Sequence, residues 1–125
     1  MGKLHASLTN MLMYVQNYLD SMGAIKRGFI NAYIGSTPIS ACIVTECESC
    51  TFMVSKGPKV TLMDGKAASP DAILRLTQAE LDRMFEGTVD EYDRKVEQGI
   101  IKVEIYTGRG QQLINQVREA FGAQG

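Results

Sequence analysis

The chain has 125 residues, a length typical of a single domain that can bury one hydrophobic core. Apolar residues make up 45% and charged residues 22%, which is a globular rather than a disordered composition. The formal net charge of −1 argues against a dedicated nucleic-acid binder, because such proteins carry a basic face. No apolar run approaches the ~20 residues of a membrane span, and neither end resembles a secretory or peroxisomal address. We therefore expect one cytoplasmic domain over residues 1–125.

Near the N-terminus, apolar side chains recur every three or four residues, as on a helix with one buried side. This pattern predicts a helix from residue 3 to residue 21 that stops at Gly23. The stripe consists of Leu8, Met11, Leu12, Val15, Leu19 and Met22. Residues 24–38 are ambiguous, because their apolar spacing fits a short second helix while Gly28, Gly35 and Pro38 interrupt it.

From residue 39 the apolar period changes to two, which predicts strands. The predicted strands are 40–46, 50–55, 59–63 and 72–76. The short connections between the first three favour antiparallel pairing. Arg75 alternates with the apolar side chains of the fourth strand, so we expect one face of the sheet to be wet.

Two helix starts follow the fourth strand. Residues 77–80 and 88–91 each place a Thr three positions before a Glu, the pattern of a capping box. They predict two helices, which end at Gly87 and Gly99. A strand over 100–106 and a last helix after Gly110 complete the chain. Strands in one block with helices mostly at the ends indicate an α+β domain with helices on one face of a sheet.

The acidic residues concentrate in one stretch. Between residues 80 and 98 there are seven acidic and three basic side chains, a balance of −4, which leaves +3 for the rest of the chain. A solvated pair of helix faces and a partner-binding surface both fit this pattern.

The cysteines do not form a complete metal or redox motif. Cys42, Cys47 and Cys50 match part of an iron–sulfur ligand set, but the fourth cysteine is missing. Cys47 and Cys50 also have the C-x-x-C spacing, yet they span a predicted turn instead of a helix start, where a redox thiol is normally activated. A single histidine, His5 in the predicted first helix, gives no basis for a Ser–His–Asp arrangement. We expect no cofactor and no metal, and a disulfide between Cys47 and Cys50 stays open.

Four segments in order resemble the sterol carrier protein 2 family. They are the hairpin 52–62, the strand and helix cap 69–77, the helix 80–87, and the strand 99–105 that leads into the last helix. The resemblance implies a five-stranded, mainly antiparallel sheet with helices packed on one face. It also implies an apolar tunnel between them for a fatty acid, fatty acyl-CoA or sterol-like ligand, and no catalysis. The charged segment 90–95 and the longer turn 106–110 depart from the family pattern.

A tunnel of this kind needs apolar walls, since an apolar ligand is held by surface removed from water. Inward positions of the predicted strands and helices supply the candidate ligand-binding residues. These are Leu74, Leu76, Leu81, Met84, Phe85, Val89, Tyr92, Ile101, Val103, Leu113, Val117 and Phe121. Arg75 and Arg109 are expected to be solvated surface arginines, and the alternative is that one of them meets an acidic head group at the rim.

The same fold with a filled core would instead serve as a protein-interaction or dimerisation module. The charged segment 90–95 and two tyrosines predicted to be exposed on the first helix, Tyr14 and Tyr18, favour that alternative. The expected partner is therefore a lipid or acyl chain, without nucleic acid or a transmembrane segment, and a homodimer is left open.

Overall fold

The computed structural model describes residues 3–35, 37–46, 48–57, 59–84 and 87–122, with the backbone alone at residues 3, 5, 14, 33, 84 and 119–122. The helices are α1 (Lys3–Asp20), α2 (Ala24–Ile34), α3 (Gln78–Met84), α4 (Val89–Glu97) and α5 (Gly108–Gly122). The strands are β1 (Ile39–Val44), β2 (Ser49–Ser55), β3 (Lys59–Asp64), β4 (Ala72–Arg75) and β5 (Lys102–Ile105). The ambiguous stretch after the first helix is thus largely helical.

The five strands form one sheet in the order β3-β2-β1-β4-β5. β1 pairs antiparallel with β2, β2 with β3, and β4 with β5, while β1 and β4 run parallel. The segment between β3 and β4 therefore carries the chain across to the other side of β1. The predicted α+β class with a mainly antiparallel five-stranded sheet is confirmed.

The strand register separates the two faces of the sheet. Ala41 lies opposite Phe52 on one side and Ala72 on the other, and all three side chains belong to the core under the helices. From α1 the core receives Leu4, Leu8, Met11, Val15 and Leu19, and from α5 Leu113, Ile114 and Val117. α1 packs over β2 and β3, and α5 packs over β1, β4 and β5. The stripe predicted for the first helix is therefore its buried side.

The opposite face is only partly wet. Arg75 and Glu104 form an ion pair there with side chains about two-fifths exposed. At the centre, however, Cys42, Thr51 and Ile73 are buried. The segment after β3 explains this burial, because the Thr51 hydroxyl donates to the Gly65 carbonyl at 2.8 Å and accepts from the Ala67 N–H at 3.1 Å. The prediction of a wet face holds for its edge and is wrong for its centre.

Both predicted Thr caps are present. The Thr77 hydroxyl accepts from the Glu80 N–H at 3.1 Å, and the Thr88 hydroxyl accepts from the Glu91 N–H at 3.2 Å. The reciprocal half of the first capping box is different, because the Glu80 carboxylate pairs with Lys95 of α4 at 2.5 Å. The Glu46 carboxylate, just after β1, accepts the N–H of Gln78, the residue after the cap, at 2.8 Å.

The last helix starts earlier than predicted. α5 begins at Gly108, so Gly110 lies inside its first turn. The Thr107 hydroxyl caps this turn by accepting the Gly110 N–H at 3.0 Å. A glycine at this position allows close packing against the start of β4, because an added Cβ would overlap the Asp71 carbonyl group.

Candidate functional site

A cavity of about 310 Å³ lies where α1, α2 and α5 meet the sheet. Most of its walls are apolar side chains, many of them buried. The lining consists of Val15, Tyr18, Leu19, Met22, Lys26, Phe29, Ile30, Ile34, Ile39, Val54, Gln112, Leu113 and Gln116. Lys26, Phe29 and Gln112 are exposed, so the cavity reaches the surface on the side where α2 and α5 face each other.

Local sequence explains how α2 forms one wall of the cavity. Ile30 and Ile34 are four residues apart and therefore lie on one side of the helix, toward the sheet. α2 ends at Gly35, whose φ of 69° is a conformation that favours glycine. The Asn31 side chain accepts the Gly57 N–H at 2.9 Å, which ties the helix to the turn between β2 and β3.

α1 forms the second wall and is anchored at the sheet edge. The Gln16 side-chain oxygen accepts the Val60 N–H at 2.8 Å, so an edge strand amide is paired by a helix side chain. Val15 and Leu19, one helical turn apart, are almost fully buried and face the cavity. Tyr18 is half-buried and also lines the cavity, so the prediction that it is exposed is wrong. The Tyr14 side chain lies outside the described residues.

Polar groups are few within this lining. Among the described residues around the cavity they come from Tyr18, Lys26, Gln112 and Gln116. Lys26 and Gln112 are exposed at the opening, whereas Gln116 is half-buried. The Gln116 Oε1 is inaccessible to solvent and has no hydrogen-bond partner among the described residues. Because a water molecule cannot reach it, this oxygen does not face the open space of the cavity.

The candidate residues named from the sequence lie mainly elsewhere. Leu113 lines the cavity, while most of the others are buried in the core or pack against it away from the lining. These are Leu74, Leu76, Leu81, Tyr92, Ile101, Val103 and Val117. Val89 is half-buried on α4. Phe85 and the side chains of Met84 and Phe121 lie outside the described residues. The role of this set as ligand contacts remains a prediction.

The space beside Tyr92 and Ile101 is small. A hollow there measures about 10 Å³, which is close to the smallest volume that can hold one water molecule. Two ion pairs close this side of the molecule, Lys95 with Glu80 and Arg118 with Asp93 at 2.7 Å. The acidic stretch therefore contributes intramolecular contacts between α3, α4 and α5.

The arginines considered as head-group partners are engaged away from the cavity lining. Arg75 donates from Nε to Glu104 at 2.5 Å on the opposite face of the sheet. Arg109, in the first turn of α5, donates to the Thr37 carbonyl oxygen. Lys26 is instead the cation that the structure places at the opening.

The described cysteines are buried thiols on opposite faces of the sheet. Cys50 shares the helix-covered face with Phe52, and Cys42 lies on the other. Burial, with the neighbouring Asp64 carboxylate, raises the pKa of the Cys50 thiol to about 11, and burial also raises the pKa of Cys42. A raised pKa disfavours the reactive thiolate. Cys47, and with it the C-x-x-C hypothesis, lies outside the described residues, as does the His5 side chain.

Most of the cavity-lining residues were not predicted as ligand contacts from the sequence. Val15, Leu19 and Met22 were recognised as an apolar stripe, but the stripe alone does not distinguish a core from a cavity wall. Ile30 and Ile34 belonged to the ambiguous segment. The available signal was that two apolar helix faces follow each other at the N-terminus.

The molecule is an α+β sheet with an open space under its helices. No protein-family model and no curated protein matches the sequence. Solved structures do match: the chain is similar to a ubiquinone synthesis protein described as UbiJ-SCP2, with a TM-score of 0.60 and 11% identity over 90% of this chain and 88% of that one.

A second similar structure is sterol carrier protein 2 like 2 from Aedes aegypti, with a TM-score of 0.51 and 14% identity over 90% of this chain and 97% of that one. The sec-alkylsulfatase Pisa1 from Pseudomonas sp. matches with a TM-score of 0.50 and 17% identity, over 77% of this chain but 14% of the enzyme. At these identities the likeness defines the fold. The chain has the sterol carrier protein 2 fold.

None of the helices in the described part of the chain has the length and apolar character to cross a membrane. In the same part, no three His, Cys, Asp or Glu side chains converge as a metal site would require.

Proposed function

We propose that this protein is a non-enzymatic carrier that binds a lipid-like ligand in the cavity between α1, α2, α5 and the sheet. The observation that carries the proposal is the 310 Å³ space itself, at the lower end of the range of about 300–1,000 Å³ for small-molecule sites. The fold shared with sterol carrier protein 2 like 2 supports it. Fatty acids, fatty acyl-CoA and sterol-like molecules are the ligand classes in question.

The volume of the cavity limits how many atoms of a ligand it can enclose. An apolar cavity of about 150 Å³ binds benzene, so a space about twice that size holds roughly a dozen heavy atoms. A single alkyl chain fits this limit better than a fused-ring sterol nucleus. Ten buried methylene groups contribute about 8 kcal/mol, which corresponds to roughly micromolar affinity before the costs of association are counted.

The lining chemistry supports carriage instead of catalysis. Among the described residues around the cavity there is no Ser, Cys, His, Asp or Glu to act as nucleophile, general base or metal ligand. The titratable side chains of the lining are Tyr18 and Lys26, and Lys26 is exposed to solvent at the opening. A cytoplasmic setting also belongs to the proposal, since the buried Cys42 and Cys50 are free thiols, as expected in a reducing compartment.

The direct test uses the fluorescent polyene fatty acid cis-parinaric acid, a linear acyl chain that brightens in apolar sites, and two matched variants of α2. Ile30→Trp fills the cavity, whereas Ile25→Trp adds the same bulk to a side chain that is 79% exposed and outside the lining. We expect saturable binding by the wild type and by Ile25→Trp, and binding weakened about tenfold or more by Ile30→Trp.

Circular dichroism confirms that both variants fold. Equal binding by Ile30→Trp and the wild type would exclude this cavity as the site, and no saturable binding by the wild type would contradict the proposed function.

The interaction-module alternative rests on a different feature. Ile25 and Phe29 are 79% and 73% exposed on the outer side of α2, and a homodimer could cover them. Light scattering distinguishes the two functions: a stable dimer that binds no probe favours the module, and a monomer that binds the probe favours the carrier.

A further inference from the structure

The sheet has two edge strands, and a helix side chain closes one of them. At β3, the Gln16 side chain of α1 accepts the outward N–H of Val60 at 2.8 Å, and α1 packs over the strand. At β5, no other strand of the described chain borders the outer side. Because unpaired backbone groups on an edge strand can pair with another chain, β5 is the edge at which a partner strand can add.

The pairing of β5 with β4 fixes which backbone groups of β5 point outward. Tyr106, the residue after the strand, donates its N–H to the Asp71 carbonyl at 2.9 Å. In an antiparallel pair, residues that bond to the neighbouring strand alternate with residues that do not. The backbone of Glu104 therefore bonds to β4, whereas the N–H and C=O groups of Val103 and Ile105 point away from the sheet.

The charges on β5 make the strand complementary to a second copy of itself. Lys102 is exposed, and it shares the outer face of the sheet with Glu104, two residues further on. When two β5 strands pair antiparallel, Val103 can face either Ile105 or Val103 of the other copy. The first register places Glu104 opposite Glu104, where like charges repel. The second register places Lys102 opposite Glu104, and the two-fold symmetry makes this attraction twice.

We propose that two copies of this chain pair through β5, antiparallel and with Val103 facing Val103, so that their two sheets become one. The same register brings Tyr106 of each copy level with Ile100 of the other. These side chains are 57% and 44% exposed in the single chain, and pairing removes part of their apolar surface from water. β5 contributes no residue to the cavity lining, so we expect the dimer to bind cis-parinaric acid as the monomer does.

Sedimentation equilibrium from micromolar to millimolar protein concentrations measures the association, and a matched pair of charge reversals locates it. Lys102→Glu turns both cross-strand attractions into repulsions. Lys59→Glu makes the same change on β3, where Lys59 is also exposed. We expect a reversible wild-type dimer, an unchanged dissociation constant for Lys59→Glu, and a dissociation constant raised roughly tenfold by Lys102→Glu.

A mixing experiment tests the register. Glu104→Lys alone should also associate weakly, but in an equimolar mixture with Lys102→Glu each cross-strand pair again joins opposite charges, so a heterodimer should form. Circular dichroism checks that both variants fold, since Glu104→Lys also loses the ion pair with Arg75. If Glu104→Lys does not fold, the comparison of Lys102→Glu with Lys59→Glu decides by itself.

Three results would overturn the inference. They are a wild type that stays monomeric throughout this concentration range, a dimer that Lys102→Glu leaves unchanged, and a mixture of the two folded variants that stays monomeric. Ile25→Asp, on the exposed side of α2, should leave the dimer intact, and its dissociation by this variant would place the interface on α2 instead. A monomer that binds cis-parinaric acid contradicts the pairing and leaves the carrier function standing.

Discussion

Asp71 joins three elements of the fold at one point. Its carboxylate accepts the Ser40 N–H at 2.9 Å and the Thr107 hydroxyl at 2.9 Å, and Thr107 in turn caps the first turn of α5. Its carbonyl oxygen lies so close to Gly110 that an added Cβ would overlap it. The start of β4 and the start of α5 are therefore in backbone contact, which positions the helix whose next turns line the cavity.

Gly110→Ala tests this close approach. The new methyl group would overlap backbone atoms that cannot rotate away, so we expect the free energy of unfolding to fall by about 3 kcal/mol. The matched substitution is Gly28→Ala in α2, where an added Cβ meets nothing within 4 Å. That change should stabilise the protein by about 0.5–1 kcal/mol, because alanine loses less entropy in a helix. Urea unfolding measures both, and a similar small effect at the two positions would contradict the packing described.

Glu104 gives the sheet edge a dependence on pH. The Tyr106 hydroxyl donates to Glu104 at 2.6 Å and Arg75 donates at 2.5 Å, and together they hold the pKa of Glu104 below its usual value. A carboxyl group with a lowered pKa in the folded state contributes stability above its unfolded pKa of about 4.3 and loses it as the pH falls through the folded value.

Glu104→Gln should therefore be less stable than the wild type at pH 7, and the difference should shrink as the pH falls below about 4. Tyr106→Phe, which removes one of the two hydrogen bonds, should show part of the same effect. Urea unfolding over this pH range is the measurement. A difference between wild type and Glu104→Gln that stays constant with pH would show that the carboxylate charge is not involved.

At the scale of elements, the helix starts were the most predictable features. Thr77 and Thr88 cap α3 and α4 as the sequence indicated, because a hydroxyl three residues before the N–H it accepts is a local arrangement. The partner of Glu80 was not predictable in the same way. Lys95 lies fifteen positions further along the chain, and packing of α4 against α3 brings it to the carboxylate.

Thr88→Ala should lower the free energy of unfolding by about 1 kcal/mol, since the Glu91 N–H loses its partner. Thr88→Ser keeps the hydroxyl and should have a much smaller effect. Thermal unfolding of the two variants makes the comparison, and equal losses would mean that the methyl group and not the cap matters.

The sequence pattern did not predict the order of the strands in the sheet. A period of two identifies β1 to β4 but does not say which neighbours they take. The antiparallel hairpins β1–β2 and β2–β3 follow from short connections, whereas the parallel pairing of β1 with β4 depends on the path of the segment after β3. That segment also buries Thr51, which is why the centre of the outer face is not wet.

At the scale of the whole molecule, the fold was easier to predict than the cavity. Buried positions such as Leu74 and Ile101 follow from periodicity. A cavity instead depends on whether the volume enclosed by the helices and the sheet exceeds the volume of the side chains inside it. On the side of α3 and α4, the core and two ion pairs leave little room. On the side of α1 and α2 the space stays open. No single residue encodes that difference.

The central claim is that the ligand occupies the space under α1, α2 and α5. The most direct measurement is a titration of ¹⁵N-labelled protein with 1-decanol, followed by NMR amide shifts. The account predicts saturable changes concentrated at lining residues such as Val15, Ile30, Val54 and Leu113. Changes concentrated at Leu81, Tyr92 and Ile101, or none that saturate, would contradict it.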